Sequence, residues 1–370
     1  MPTRASDGRT ATLPQVDVAR VLAMGAIFVF HLWSVVPDGV VSPSASLALR
    51  HGYLGVVVFD VITGLVLAWP HVGPARRPLL GWGTFLRRRF LRIVPAYYLA
   101  LGLWVVVAAL AALLRIGDGR APSVASVVTH GLFLHTLSPT DFFAVVPAYW
   151  WLGLLAQLYL AFPLLLRFQR AAGPWPAVAA VCTVSWGSWL LLDAMARARP
   201  HSAVALVNYM SYYNLPYRLP EFAIGVGLAS VLGPEDDARS PSLAPAPAAA
   251  LLGACALVAL LPTRGLASLV HVRLVALCVA AFVVLLALPV AARAGRGTLV
   301  RRLAAASYGF YLVHQPLLGY GSDVLAAVLG PRGRFWVLLL GAGWLALRSA
   351  VWLDRLAARA MARRGRPRYA

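Results

Sequence analysis

Ten apolar runs, each near the ~20 residues needed to cross a hydrocarbon layer, recur along the chain. They fall at 18–37, 52–70, 93–114, 147–168, 174–192, 216–232, 246–262, 269–290, 302–320 and 334–353. Lipid satisfies no backbone N–H or C=O, so a span must be a helix or a strand of a closed barrel. Runs of this length without alternation are helical. The expected fold class is therefore all-α, a polytopic membrane helix bundle of about ten transmembrane helices. Composition agrees, with 60% hydrophobic and only 12% charged residues, about half the charge of an ordinary soluble domain.

The arginines sort these spans by side. Arg76, Arg77, Arg87, Arg88, Arg89 and Arg92 lie between spans two and three. Arg293, Arg296, Arg301 and Arg302 lie between spans eight and nine, and Arg355, Arg359, Arg363, Arg364, Arg366 and Arg368 fill the tail. With ten spans these clusters share one face with Arg4, Arg9, Arg167 and Arg170, and the positive-inside rule makes that face cytoplasmic. Both termini are then cytoplasmic. The formal charge of +20 is thus accounted for by topology, and nucleic acid is not an expected partner. One transmembrane domain is expected over 17–354, between a cytoplasmic segment at 1–16 and a basic tail at 355–370. The acidic stretch 234–245 reads as a short cytoplasmic loop. Short segments at 123–138 and 202–215 are candidates for interfacial or re-entrant turns.

Polar groups inside the runs carry the functional signal, because an intramembrane ionisable residue is expensive unless it has a use. The first run, VARVLAMGAIFVFHLWSVVP, holds Arg20 and His31. Eleven residues advance a helix by about 16 Å and leave the two side chains about 20° apart in azimuth. The second run places Asp60 near mid-membrane with Thr63 a turn away. The fourth holds Gln157 and Tyr159 behind Tyr149, Trp150 and Trp151, which read as interfacial anchors. The sixth opens with Arg218 and Glu221, three apart and so on one helix face, where an ion pair forms. Gly225 and Gly227 then permit close packing. The ninth holds Ser307 and His314, followed by Pro316, which frees a carbonyl one turn back. By depth, Arg20, Arg89 and Arg92 form an inner layer suited to phosphates, since guanidinium makes paired, charge-assisted bonds to them. His31, Asp60, Glu221 and His314 form an outer layer in which an imidazole can act as general base on a hydroxyl.

No P-loop, HExxH, GxSxG or CxxC occurs in the sequence. Cys182, Cys255 and Cys278 sit in apolar runs and read as small hydrophobes. No metal site is expected. Of the remaining histidines, His51, His71, His130, His135, His201 and His271 read as loop or span-end residues, with His130 and His135 the two candidates for approach to a site. Intramembrane charges also suit a transporter or flippase of a polar or lipid-linked substrate, although no inverted repeat or pair of interrupted helices is evident. A scaffold within a polysaccharide machine is a third reading.

Six stretches in order resemble the acyltransferase 3 family of integral membrane proteins. They are Arg20 and His31 with ten residues between them, GVVVFDVITGLVL, FLRRRFLRIVPAYY with its Arg-x-x-Arg on Arg89 and Arg92, WWLGLLAQLYLAFPLL, RLPEFAIGVGLA and SYGFYLVHQPLL. In one respect the chain departs from the pattern. Many sugar-modifying members carry a glutamate pair where this chain has Leu155 and Ala156. The resemblance implies an acyl donor, commonly acyl-CoA, engaged from the cytoplasm, with no permanently bound cofactor. The acceptor would be a hydroxyl of a carbohydrate, cell-envelope glycan or secondary metabolite, and the setting a bacterial-type plasma membrane. In that picture His31 activates the acceptor hydroxyl or bears on acyl transfer across the membrane, with Asp60, Glu221 and His314 in the catalytic layer. Arg20, Arg89 and Arg92 hold the donor phosphates, and Gln157, Tyr159, Arg218 and Ser307 are candidates for acceptor contact or support.

Overall fold

The computed structural model describes residues 13–72, 77–117, 121–232, 245–260 and 267–363. Arg4, Arg9, Arg76, Arg364, Arg366 and Arg368 lie outside these residues, as does all but the end of the expected acidic loop at 234–245. Among the described residues the secondary structure is helical throughout, with no strand. The α-helices are α1 (Pro14–Val35), α2 (Pro43–Arg50), α3 (Gly55–Ala68), α4 (Trp82–Leu114), α5 (Val124–Gly131), α6 (Trp150–Ala172), α7 (Pro174–Ala198) and α8 (Ala203–Tyr212). They continue with α9 (Leu215–Val231), α10 (Pro245–Ala259), α11 (Ala267–Ala287), α12 (Pro289–Gly295), α13 (Thr298–Ala326), α14 (Pro331–Val337) and α15 (Gly343–Arg363).

Seven helical stretches are long and apolar enough to cross a membrane: Pro14–Val35, Pro43–His71, Trp82–Leu114, Pro147–Ala172, Pro174–Ala198, Leu269–Ala287 and Pro331–Leu353. The expectation was ten. The other three expected positions are helical but differ in kind. α9 has 17 residues and α10 has 15, while α13 has 29 but lacks an apolar window of spanning length. For α9 and α13 the reason lies in packing. α9 is buried along most of its length and α13 over its middle, 304–322, so these surfaces meet protein and tolerate polar groups.

The tightest pairing is between α3 and α9. A Cβ on Gly225 would run into the Val61 carbonyl, and one on Gly64 into the Phe222 carbonyl. Glycine at both positions lets the two backbones touch, which is how helices associate when no hydrophobic driving force separates them from lipid. Proline at 316 leaves α13 continuous. Its missing N–H frees the Leu312 carbonyl, which accepts from Trp104 Nε1 at 3.1 Å and from the Tyr149 hydroxyl at 2.8 Å, tying α4 and the start of α6 to α13.

The short segments are separate helices. Ser123 caps α5 and Ser202 caps α8, each accepting a backbone N–H of its own first turn. Gln157 fixes the α8–α9 junction. Its Oε1 accepts Leu215 N–H at 3.0 Å, and its Nε2 donates to Asn214 Oδ1 at 2.6 Å and Thr136 Oγ1 at 3.1 Å. Gln157 thus ties α6 to the start of α9 and to Thr136.

Candidate active site

Helices α1, α3, α4, α6 and α13 enclose a chamber of about 370 Å³. Arg20 from the start of α1 and Arg89 and Arg92 from the start of α4 reach it together, with Tyr159 and Ser307 beside them. The helix starts of α1, α4 and α13 define this arginine end of the bundle. Asp17 pairs with Arg20 at 3.5 Å, and the Arg89 guanidinium lies 5.6 Å over the Phe85 ring. Deeper in, the chamber becomes apolar, walled by Ile27, Phe59 and Ile62, and it extends to Trp151 and Tyr311. The hydroxyls of Thr63 and Ser307 donate to carbonyls of their own helices, at 2.7 Å to Phe59 and 2.8 Å to Ala304.

Two ionisable pairs flank the deep end. In the first, His31 and His314 have ring centroids 5.1 Å apart. His314 is buried and lies within reach of the Phe310 and Tyr311 carbonyls through Nδ1, at 3.2 and 3.0 Å. Carbonyls only accept, so Nδ1 carries the proton and Nε2 is left as the basic nitrogen. No hydrogen-bond partner meets that Nε2. Tyr311, which lines the chamber, places its ring 6.0 Å from His314 and 5.4 Å from Trp151. Its hydroxyl donates to the Ala148 carbonyl.

The second pair is Asp60 and Glu221, both fully buried and mutual electrostatic neighbours. Asp60 Oδ1 accepts from Trp151 Nε1 at 2.7 Å. Glu221 forms the expected ion pair with Arg218, at 3.2 Å and almost without solvent exposure. Arg218 is further held by its Nε donating to the Tyr212 carbonyl at 3.0 Å, and by the Tyr212 ring 4.6 Å below its guanidinium. Such a buried pair is expensive to assemble, and removing one partner costs about 3–5 kcal/mol. His271 Nε2 lies 3.4 Å from Glu221 Oε1. The four expected outer-layer residues therefore come as two pairs, with Trp151 and Tyr311 between them.

Three readings of the sequence need correction. Trp151 is not an interfacial anchor, because its indole N–H is the partner of Asp60. His271 is not a span-end bystander, because it bonds to Glu221. His130 and His135 do not approach the chamber. They stack at 4.0 Å and face the carbonyls of Ser126 and Tyr149 through His130 Nδ1 and His135 Nε2. The signal that would have found Trp151 is general: a mid-membrane carboxyl requires a donor, and the indole N–H is a donor only.

A family model described as an acyltransferase domain matches residues 13–354. The chain belongs to the acyltransferase 3 family. Membership makes it a membrane-embedded O-acyltransferase that uses acyl-CoA-type donors and acts on a carbohydrate or cell-envelope acceptor. No curated protein and no solved structure matches the chain.

Proposed function

We propose that the chamber is the donor site, with acyl-CoA phosphates held at Arg20, Arg89 and Arg92 and the thioester end extending toward Trp151 and Tyr311. The observation that carries this reading is one cavity that runs from three guanidinium groups to Tyr311, whose ring lies 6.0 Å from that of His314. Guanidinium matches phosphate in geometry and charge. At about 370 Å³ the chamber is at the small end of ligand pockets. It suits the pantetheine arm with acetyl or another short acyl group.

In this reading the arginine end faces the cytoplasm, the bundle crosses ten times within a single domain over 17–354, and both termini are cytoplasmic. α9 and α13 cross inside a protein shell, and α10 crosses as a short helix. The membrane is a bacterial-type plasma membrane.

His31 takes the proton from the acceptor hydroxyl as its oxygen attacks the thioester carbonyl. The C–O bond forms, the C–S bond breaks, and CoA leaves as a thiolate that takes the proton from His31. His314 packs its ring 5.1 Å from that of His31 and limits where the His31 imidazole can lie. Asp60 and Glu221 keep the deep end polar and hold Trp151 and Arg218 in place. The acceptor is a sugar hydroxyl of a glycan, with a secondary metabolite as the other chemical class that fits.

Purified protein incubated with labelled acetyl-CoA and a mixture of cell-envelope oligosaccharides is expected to yield an alkali-labile ester. His31→Ala should abolish it while the protein remains folded and donor binding persists. Ester formation at the parental rate in His31→Ala would reject the base assignment.

A further inference from the structure

A second cavity, of about 340 Å³, lies among α7, α8 and α11. It sits at the opposite end of the bundle from the arginines. The C-terminal end of α11 reaches the start of α1, where Gln15 Nε2 donates to the Leu286 carbonyl at 3.3 Å, whereas this cavity is lined from the N-terminal end of α11, by Val270, His271 and Leu274.

Its walls are of two kinds. Trp189, Tyr209 and Tyr212 supply aromatic rings, and Asp193, Asn208 and His271 supply polar edges. The polar groups are already arranged. Asn208 Nδ2 donates to Asp193 Oδ1 at 3.4 Å, and the Asp193 carboxylate takes a salt bridge from Arg197 at 2.9 Å. Trp189 is fixed by edge and tilted contacts with Tyr212, Tyr217 and His271 at 5.0–5.6 Å. Flat apolar faces next to a carboxylate and an amide match a ligand with apolar C–H faces and a rim of hydroxyls, which is the chemistry of a pyranose ring. The volume admits one such ring, being near the lower bound of about 300 Å³ for ligand sites.

The cavity also connects to the chemistry. His271 forms its inner wall and contacts Glu221, Glu221 neighbours Asp60, and Asp60 is bonded to Trp151, which lines the donor chamber. Four packed side chains in series therefore stand between the two cavities, so a ring held in the vestibule is a neighbour of the reacting sugar and not the reacting sugar itself. The geometry points to this vestibule as the acceptor subsite, holding one sugar ring of a carbohydrate between the aromatic walls with its hydroxyls on Asp193 and Asn208. This assignment rests on the donor-chamber reading above for its place in the reaction, but binding of sugar at the vestibule is separable from it.

The test uses the full chain in detergent and saturation-transfer difference NMR, with free glucose and free N-acetylglucosamine as probes. Saturable binding is expected in the parent. Tyr209→Ala, at a half-exposed ring, and Asn208→Ala should each weaken it about threefold to tenfold, the range of one aromatic or polar contact. Gly102→Ala, where an added Cβ meets nothing, should leave it unchanged. No saturable binding of either sugar in the parent, or equal binding in parent and both vestibule variants, overturns the assignment. Sugar binding that depends on Tyr209, in a protein that forms no ester from acetyl-CoA, supports the subsite and overturns the catalytic reading instead.

Discussion

Trp151→Phe isolates a single hydrogen bond at the junction of the two ionisable pairs. Phenylalanine keeps an aromatic ring against Phe59 and Tyr311, whose centroids lie 5.9 and 5.4 Å from the indole. What disappears is the 2.7 Å bond from Nε1 to Asp60 Oδ1. Asp60 is fully buried, so no water replaces the lost donor, and the cost is that of leaving a buried acceptor unpaired, about 1–3 kcal/mol. At about 1.4 kcal/mol per factor of ten, this amounts to roughly 5–150-fold. The loss has two places to appear. If the bond only holds the fold together, the unfolding midpoint falls and kcat/KM per folded molecule is unchanged. If it also sets Asp60 relative to the chamber, kcat/KM falls as well. We expect both, measured as thermal unfolding of the monodisperse protein and as initial rates of ester formation at varied donor. A Trp151→Phe protein with the parental midpoint and the parental kcat/KM would refute the view that this bond organises the site.

Arg89→Ala and Arg92→Ala are each expected to raise the donor KM by about tenfold or more, the worth of one charge-assisted contact, with little change in acceptor KM; equal donor KM values in variant and parent would remove the phosphate assignment. Gly225→Ala drives a methyl group into the Val61 carbonyl, and an overpacked backbone contact of this kind costs about 1–3 kcal/mol. Gly102→Ala, where an added Cβ meets nothing, is the control and should be neutral or stabilising by up to about 1 kcal/mol. A parental unfolding midpoint in Gly225→Ala would contradict the close approach of α3 and α9. His135, on the turn after α5, is buried, and burial pushes its pKa down to about 3 from the ordinary 6.5. The unfolded chain then binds a proton that the folded chain refuses, so His135 contributes full stability above about pH 6.5 and loses it as pH falls toward 3, with a slope of up to about 1.4 kcal/mol per pH unit. His135→Gln should flatten the acid limb of an unfolding-midpoint profile, and an identical profile in the variant would disprove this.

Helix positions were legible because lipid leaves the backbone no alternative, and each expected run is helical where the structure describes it. What composition did not reveal is that α9 and α13 are shielded, and so need not look like spans. Convergence of Arg20, Arg89 and Arg92 was readable from their shared depth at helix starts. The Arg218–Glu221 pair was readable from its three-residue spacing. Both are local or one-dimensional signals. By contrast, Trp151–Asp60 joins residues 91 apart and His271–Glu221 residues 50 apart. No periodicity encodes such bonds, and the local context of each partner pointed elsewhere. Trp151 follows Tyr149 and Trp150 at a span start, where aromatic residues serve as anchors. His271 lies in the first turns of an apolar run, where a polar residue is ordinary. Thr63 lies a turn from Asp60 but does not bond to it, because a threonine in a helix has its own i−4 carbonyl within reach and uses it.

One regularity joins the packing to the chemistry. Asp60 and Gly64 are four apart on α3, and Glu221 and Gly225 are four apart on α9, so each carboxyl lies on the same face of its helix as a glycine one turn along. That face is the α3–α9 contact, where each glycine admits a carbonyl from around its partner's preceding turn. Two carboxyls would ordinarily hold helices apart in an apolar interior. Here the backbone approach one turn away leaves them no room to separate, and Trp151, Arg218 and His271 are packed around them to supply the donors. The glycines are therefore part of the site. Widening the contact by one methyl group at Gly225 should loosen the Asp60–Glu221 proximity and lower the rate of ester formation, even in protein that remains folded. A Gly225→Ala enzyme that is less stable yet fully active would show that the two carboxyls serve packing alone.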